Sequence, residues 1–525
     1  MKRGLFILFV LSSVVMFAQD DLSSSDWKMT QAKMFFEDGQ TENALEIYLE
    51  LYQDFPTNDF LNLRIAECYN DIYDYENAYA HLKNAIDNNP SSEYLDDINF
   101  WFGRTHHKMG DFDLAYSYYE KVKKGTELID SLYVQNLMQQ CLSGKEIYEN
   151  KGNYFSENCG PNVNSEYNEI FPVVAFGEDK LFFTTDRKVN EHQDGHPSTG
   201  LCDYSVMESY IKEGQFQKAV VPDQVFSNGK DYILTSVGAG NGEFILYKNS
   251  PEFEDNGDLY YLLLTDEFDV SQPVNMGETV NSIKFEGAGS LDFINQKFYF
   301  SSNSNNKKSE EKDIFYSNKR NSNFSNSLVV DEFNSELDED FVYIHPGGDF
   351  VVFASNSGKS MGGYDLFISV LKDKKWSEPV NLGYPFNSVE DERQFSLSVD
   401  GQYAYISSDR IGGEGRMDIY KMEFGTFMQE KFGFHPGLTV IQGQVTDENY
   451  DEVSTKISIS NDLKDCYNQK VDTDLEGYFS VAVKPGTKYT IEIKESAYEK
   501  YSLTLDLTDS SRSRVNFDIE LQTKE

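Results

Sequence analysis

The sequence predicts a multidomain chain, α-helical at the front and all-β behind: helical repeats, then a β-propeller, then a small β-sandwich. Three observations carry this. Small and aromatic residues recur 34 positions apart, Ala32 to Ala66, Ala44 to Ala78 and Pro56 to Pro90. Between Cys159 and Glu423 an aromatic strand, a polar turn and an Asp recur about every 53 residues. Beyond Gly437, short alternating runs separated by turn residues read as antiparallel strands. The expected divisions are a signal segment over 1–18, helical repeats over 24–150, a propeller over 153–425 and a sandwich over 438–525, with 425–437 as linker.

Lys2 and Arg3, an apolar run from Leu5 to Val15, and Ala18 ahead of Gln19 form a secretory signal, too short for a spanning helix. The first cysteine is Cys68, so no lipid-bearing cysteine follows that run, and no later stretch approaches the roughly 20 apolar residues of a membrane helix. The formal charge of −42, two units more negative once Lys2 and Arg3 are removed, argues against nucleic acid as a partner because a polyanion is repelled. A basic protein face, divalent cations or plain solubility fit it. Cys68, Cys141, Cys159, Cys202 and Cys466 are odd in number and far apart, which excludes a dense disulfide framework and permits one bridge.

In the front part, Ala32, Phe35, Gly39, Ala44, Tyr48, Leu51 and Pro56 have the spacing of a tetratricopeptide repeat, and Ala66, Tyr69, Ala78, Leu82, Ala85 and Pro90 repeat it. The alanines mark where paired helices approach closely, the aromatics fill the space beside them, and each Pro ends a helix. A looser copy uses Gly103, His106, Gly110, Ala115, Tyr119 and Val122, and a helix around Tyr133 to Tyr148 caps the stack. Tyr69, Tyr73, Tyr75 and Tyr79 fit a concave groove or core positions equally well. His106 and His107 are adjacent, so their rings face different sides of a helix and do not share a metal.

In the middle part the repeated Asp copies are Asp203, Asp258, Asp313, Asp365 and Asp418, and aromatic strands begin near Phe182, Phe244, Phe298, Val351 and Ala404. Such units bury both faces only by stacking around an axis, giving five motif-bearing blades with a sixth, degenerate one left open. A second phrase is Asn164-Ser165, Asn281-Ser282, Asn334-Ser335 and Asn387-Ser388, each with a carboxylate five residues after the Asn: Glu169, Glu286, Glu339 and Glu392. Four such carboxylates could ring a channel and hold a cation; turn closure by accepting backbone N–H bonds is the preferred reading. The copy at Asn228 to Asp231 is degenerate.

Several motifs that suggest chemistry fail on context. Gly358-Lys359-Ser360-Met361-Gly362 matches a nucleophile elbow, but it falls in a blade turn and only His435 follows it. His192, His196 and Cys202 lack a fourth zinc ligand. Asp186-Arg187 and Asp409-Arg410 read as exposed pairs of small energetic weight. Asp472 to Gly477 begins like a calcium loop, yet its twelfth position is Val483. No catalytic, cofactor or metal residue is expected.

In the sandwich, Gly443-Gln444-Val445-Thr446-Asp447, Thr473-Asp474-Leu475-Glu476-Gly477-Tyr478-Phe479 and Pro485-Gly486-Thr487-Lys488-Tyr489 resemble the carboxypeptidase regulatory-like domain. Ser407-Ser408-Asp409-Arg410 with Asp418-Ile419-Tyr420 resembles TolB-type, WD-like propeller repeats. In this order the three parts resemble Bacteroidetes envelope proteins of the PorE kind, associated with type IX secretion and gliding. Those relatives usually continue into an OmpA-like peptidoglycan-binding domain, and this sequence stops at Glu525, so anchoring to the cell wall is not carried over.

The resemblance implies a non-catalytic scaffold, periplasmic and associated with the outer membrane, whose partners are envelope or secretion-system proteins. The alternative is an enzyme or a small-ligand or carbohydrate receptor with its site in the propeller channel. That rival needs unlike polar residues from different blades at one mouth of the axis.

Overall fold

The computed structural model describes residues 25–524 except 124–129, 176–179, 188–203, 223–231, 238–242, 250–256, 264–272, 293–294, 305–310, 321–322, 462–467, 474–475 and 510–512. The expected signal segment, the Asp203 copy, the degenerate copy at Asn228 and the loop carrying His192, His196 and Cys202 lie outside the described residues. The chain divides near Glu146 into two compact units.

The first unit is a stack of helical hairpins: α1 (Ser25–Glu37) with α2 (Thr41–Asp54), α3 (Asp59–Asp71) with α4 (Tyr75–Asn88), α5 (Leu95–Lys108) with α6 (Phe112–Tyr119), and then α7 (Ser131–Glu149). Local chemistry starts these helices. Asn58 accepts the N–H of Leu61 and Asp74 that of Asn77, satisfying donors that the first turn leaves open. Ala32, Ala44, Ala66, Ala78 and Ala115 are fully buried where helices meet. At the corresponding close approach in the third hairpin, a Cβ on Gly103 would lie 2.4 Å from Cε1 of the buried Tyr119 ring. We expect Gly103→Ala to lower the stability of this unit by about 2 kcal/mol, because that ring has no room to move. Thermal unfolding followed by helical circular dichroism would show it; an unchanged midpoint would mean the hairpin packs otherwise.

The second unit holds five antiparallel sheets and a sandwich. The sheets run β2 (Glu169–Val174) to β5 (Gln215–Phe216), β6 (Tyr232–Val237) to β9 (Val274–Asn275), β10 (Glu286–Asp292) to β14 (Leu328–Val329), β15 (Glu339–Ile344) to β19 (Val380–Asn381), and β20 (Glu392–Leu397) to β22 (Asp418–Glu423). Their first strands neighbour one another in a closed circuit, β2, β6, β10, β15, β20 and back to β2, so the sheets radiate like propeller blades. The described residues contain five such blades. Each first strand carries a register shift, at 170/173, 234/236, 286/289, 339/341 and 392/394. Bulges of this kind increase local twist and turn the strand along the axis.

The last blade is completed from the other end of the ring. β1 (Ser156–Asn158) pairs antiparallel with β22, Glu157 opposite Lys421, and caps an edge that would otherwise be open.

One expectation is corrected here. Residues 425–437 are not a plain linker: α8 (Phe424–Phe432) follows β22 and buries Phe424, Phe427 and Met428 against Phe386, Phe395 and Phe350. Those three residues sit at i, i+3 and i+4, the spacing of one helical face, and Gly433 ends the helix at φ 80°. The sandwich then pairs β26 (Tyr478–Val483), β23 (Thr439–Asp447), β29 (Arg514–Asn516) and β30 (Ile519–Leu521) in one sheet. The other is β25 (Asn468–Asp472), β24 (Lys456–Ser460), β27 (Thr487–Ile493) and β28 (Tyr501–Leu507). It is held against the ring. Leu438 N–H donates to Val399 O at 2.7 Å, Lys484 Nζ meets Asp349 at 2.5 Å, and Val399, Leu438, Val440 and Ala482 share a small core.

Candidate functional site

Three places in the ring bring polar groups together: the latches between blades, one mouth of the axis, and a chamber toward the other mouth. The latches explain both recurring phrases at once. Asn387 Oδ1 accepts the N–H of Leu366 at 2.8 Å and its Nδ2 donates to the carbonyl of the same residue at 2.9 Å. Asn164 does this to Ile419, Asn281 to Leu259 and Asn334 to Ile314. Each clamped residue directly follows an Asp copy of the preceding blade. Asp418 and Asp365 close their own turns, Asp418 by accepting the N–H groups of Glu414 and Gly415 and Asp365 that of Met361.

The four glutamates behave alike. Glu339 accepts the N–H of Ser335 at 3.0 Å, its hydroxyl at 2.7 Å and the Ser355 hydroxyl at 2.8 Å, and it is fully buried. Glu169, Glu286 and Glu392 make the same set with Ser165 and Thr185, Ser282 and Ser302, and Ser388 and Ser408. They close turns one blade at a time, and among the described residues no group of three His, Cys, Asp or Glu side chains is placed to hold a metal. Burial raises all four carboxyls against these hydrogen bonds, Glu339 up to about 7.

Asp186-Arg187 and Asp409-Arg410 are not exposed pairs. Arg187 reaches buried Glu169 at 2.8 Å, and Arg410 reaches buried Glu392 at 3.1 Å while donating to the carbonyls of Pro385 and Phe386. Asp186 and Asp409 instead accept the N–H groups of Asn168 and Asp391. Sequence reasoning missed this because the partner lies 18 residues away across a strand hairpin.

Unlike charges do converge near the starts of β15 and β20. Asp340 bridges Lys312 Nζ at 2.6 Å and Arg393 Nη1 at 3.1 Å, and Arg393 also bonds Asp391 at 2.8 Å. The Arg393 guanidinium lies 4.1 Å from the Tyr364 ring centroid, and the Tyr364 hydroxyl donates to Asp338. Burial alone would raise Asp340; Lys312 and Arg393 outweigh it and hold the carboxyl below its ordinary value. This cluster draws on three blades, but no histidine joins it, and its cations are matched by its own aspartates.

Toward the opposite ends of the first strands lies a chamber of about 50 Å³ lined from all five blades and by Leu438. It carries His345, which stacks on Phe350 at 4.7 Å and has Nδ1 against Gly347 N–H, and among the described residues it carries no Arg or carboxylate. The histidine and the arginine–carboxylate group therefore occupy separate places.

The remaining candidates fall into packing roles. Ser360 is fully buried in a helix-free loop and donates to Ser355 O at 2.7 Å. Tyr75 is buried, Tyr69 stacks on His81, and Tyr79 is the exposed member of its group, edge-on to Phe102 and His106. His106 stacks on Tyr118, whereas His107 faces Tyr119 and Cys141. Cys68, Cys141 and Cys159 are free thiols, each raised by burial. Val483 is a buried strand residue, and Asp472 pairs with Lys456 at the surface.

No family model and no curated protein matches the chain. Among solved structures, the Sgt2 TPR domain from Aspergillus fumigatus is 17% identical with a TM-score of 0.22, over 24% of this chain and 82% of that one. A thermostable family-43 glycoside hydrolase is 12% identical with a TM-score of 0.33, over 51% of this chain and 92% of that one. A 3-chlorocatechol 1,2-dioxygenase from Rhodococcus opacus is 11% identical with a TM-score of 0.15, over 17% of this chain, which spans 60% of that one. The first likeness falls on the helices and the second on the sheets; at these scores none bears on activity. No described helix is long and apolar enough to cross a membrane.

Proposed function

We propose that this chain is a non-catalytic scaffold of the bacterial envelope, periplasmic and associated with the outer membrane. Its helical unit would be a set of tetratricopeptide repeats, its ring a TolB-type, WD-like propeller, and its sandwich a carboxypeptidase regulatory-like domain. Its work would lie in type IX secretion or gliding, a reading supported by the sequence resemblance to PorE-like proteins. The observation that supports this reading is the internal use of the recurring polar groups: asparagines, glutamates and their arginines bond one another and the backbone, leaving surfaces for other macromolecules. Helical hairpins and ring would each take one segment of a partner assembly, and joining them in one chain raises the effective concentration of the second contact to about millimolar.

Cross-linking whole envelopes and purifying the tagged chain tests it. We expect outer-membrane or secretion-system proteins to co-purify; recovery of soluble metabolic enzymes alone would overturn the assignment.

A further inference from the structure

We propose that the axial chamber of the ring binds a small uncharged polyol, held by hydroxyl groups from four blades. Ser236, Ser290, Tyr343 and Ser396 occupy one equivalent position in successive first strands, opposite Ile245, Tyr299, Val352 and Tyr405 of the second strands. All four line the chamber.

Their hydrogen bonding is incomplete in one direction. The Ser290 oxygen accepts the N–H of Ile344 at 3.2 Å and the Ser396 oxygen that of Val174 at 3.1 Å, stitching neighbouring first strands together. A hydroxyl that accepts still has its own O–H to donate, and neither serine donates to any described residue. The hydroxyls of Ser236 and Tyr343 make no hydrogen bond to any described residue, although both backbones are paired in the sheets. Other polar groups in the lining are engaged: Thr235 donates to Ile245 O, and Ser398 donates to Asp400. Four O–H donors thus face a space whose remaining walls include Val173, Leu291, Phe395 and Leu397.

The chemistry of the walls selects the occupant. Among the described residues the chamber carries no carboxylate, lysine or arginine, and its one ionisable side chain, His345, is taken up by the Gly347 N–H and the Phe350 ring, so the walls favour an uncharged occupant. At about 10–15 Å³ per water-sized sphere, 50 Å³ holds about four waters. That is the liquid volume of a molecule of about six non-hydrogen atoms. A three-carbon triol matches both the size and the pattern, its oxygens accepting from the hydroxyls while its carbons lie on the apolar walls. Water has no carbon to place there.

Glycerol is the probe, tested by saturation-transfer NMR on the full chain. A ligand of about six non-hydrogen atoms is expected to bind in the millimolar range. Tyr343→Phe removes a hydroxyl without a partner among the described residues while keeping the ring between Phe350 and Phe395. It should weaken binding about fivefold and leave the melting temperature unchanged. Ser236→Leu fills the chamber and should abolish the saturable signal. The proposal is overturned by a wild-type signal that does not saturate, by unchanged binding in both variants, or by a crystal soaked in glycerol whose chamber holds water alone.

Discussion

Asn387→Ala should destabilise the ring by about 3 kcal/mol. The side chain is fully buried and makes three bonds, two to Leu366 and one from Nδ2 to Asn381 at 2.7 Å. The Leu366 carbonyl keeps a second donor, the N–H of Leu382, so the group orphaned by the substitution is the Leu366 N–H. A buried N–H without an acceptor costs about 1–3 kcal/mol, and the vacated amide volume adds to that. Asn334 provides the internal comparison: it is only half-buried and makes just the two bonds to Ile314. Asn334→Ala should therefore cost about half as much. Denaturant unfolding read at Trp376, with Trp27 and Trp101 changed to Phe, measures both; equal and small losses would show that the clamps do not hold the blades.

Neutralising two equivalent glutamates should change stability by different amounts. Glu339 is buried with hydroxyls and one N–H around it and no direct arginine, and burial lifts its pKa from 4.5 to about 7. A carboxyl raised in the folded state leaves stability intact below pH 4.5 and removes it as the pH rises toward 7, because the unfolded chain ionises first. The full loss above pH 7 is on the order of 3 kcal/mol. Glu339→Gln cannot ionise, and its amide can face serine oxygens while its carbonyl accepts the Ser335 N–H. The variant should lack that loss and be more stable than the parent at pH 8, with the advantage gone near pH 4.

Glu392→Gln should gain less. Burial raises that carboxyl too, but Arg410 donates to it and opposes the rise. Removing the charge leaves a mostly buried guanidinium with only neutral acceptors at Ser408, Pro385 and Phe386, which offsets part of the gain at pH 8. Melting temperatures of parent and variants from pH 4 to pH 8 separate the two cases, and parallel curves for both variants would refute the distinction.

The repeats were legible because packing imposes periods: alanines where helices touch, and Asp, Asn and Glu once per blade. What those residues bond was not. Asn387 reaches Leu366, one residue past an Asp copy in the blade before, and a spacing of 21 residues carries no mark of that pairing. Arg187 and Arg410 looked exposed because turn position says nothing of a buried carboxylate beneath. The strand Ser156–Asn158 is too short to show alternation. The helix Phe424–Phe432 was hidden by its glycine and aromatics, although Phe424, Phe427 and Met428 carried its spacing. The hydroxyl position was readable in principle, since Ser236, Ser290, Tyr343 and Ser396 keep the blade period, but serines in strands are common enough to pass unnoticed.

Because Glu157 lies opposite Lys421, circularisation waits for almost the whole middle of the polypeptide to leave the ribosome. Contacts so distant along the backbone form late and slowly. Until then the strand Ser156–Asn158 and the open edge of the growing ring are sites for mispairing with another nascent molecule, whereas the helical hairpins, built from neighbours in sequence, can already be complete.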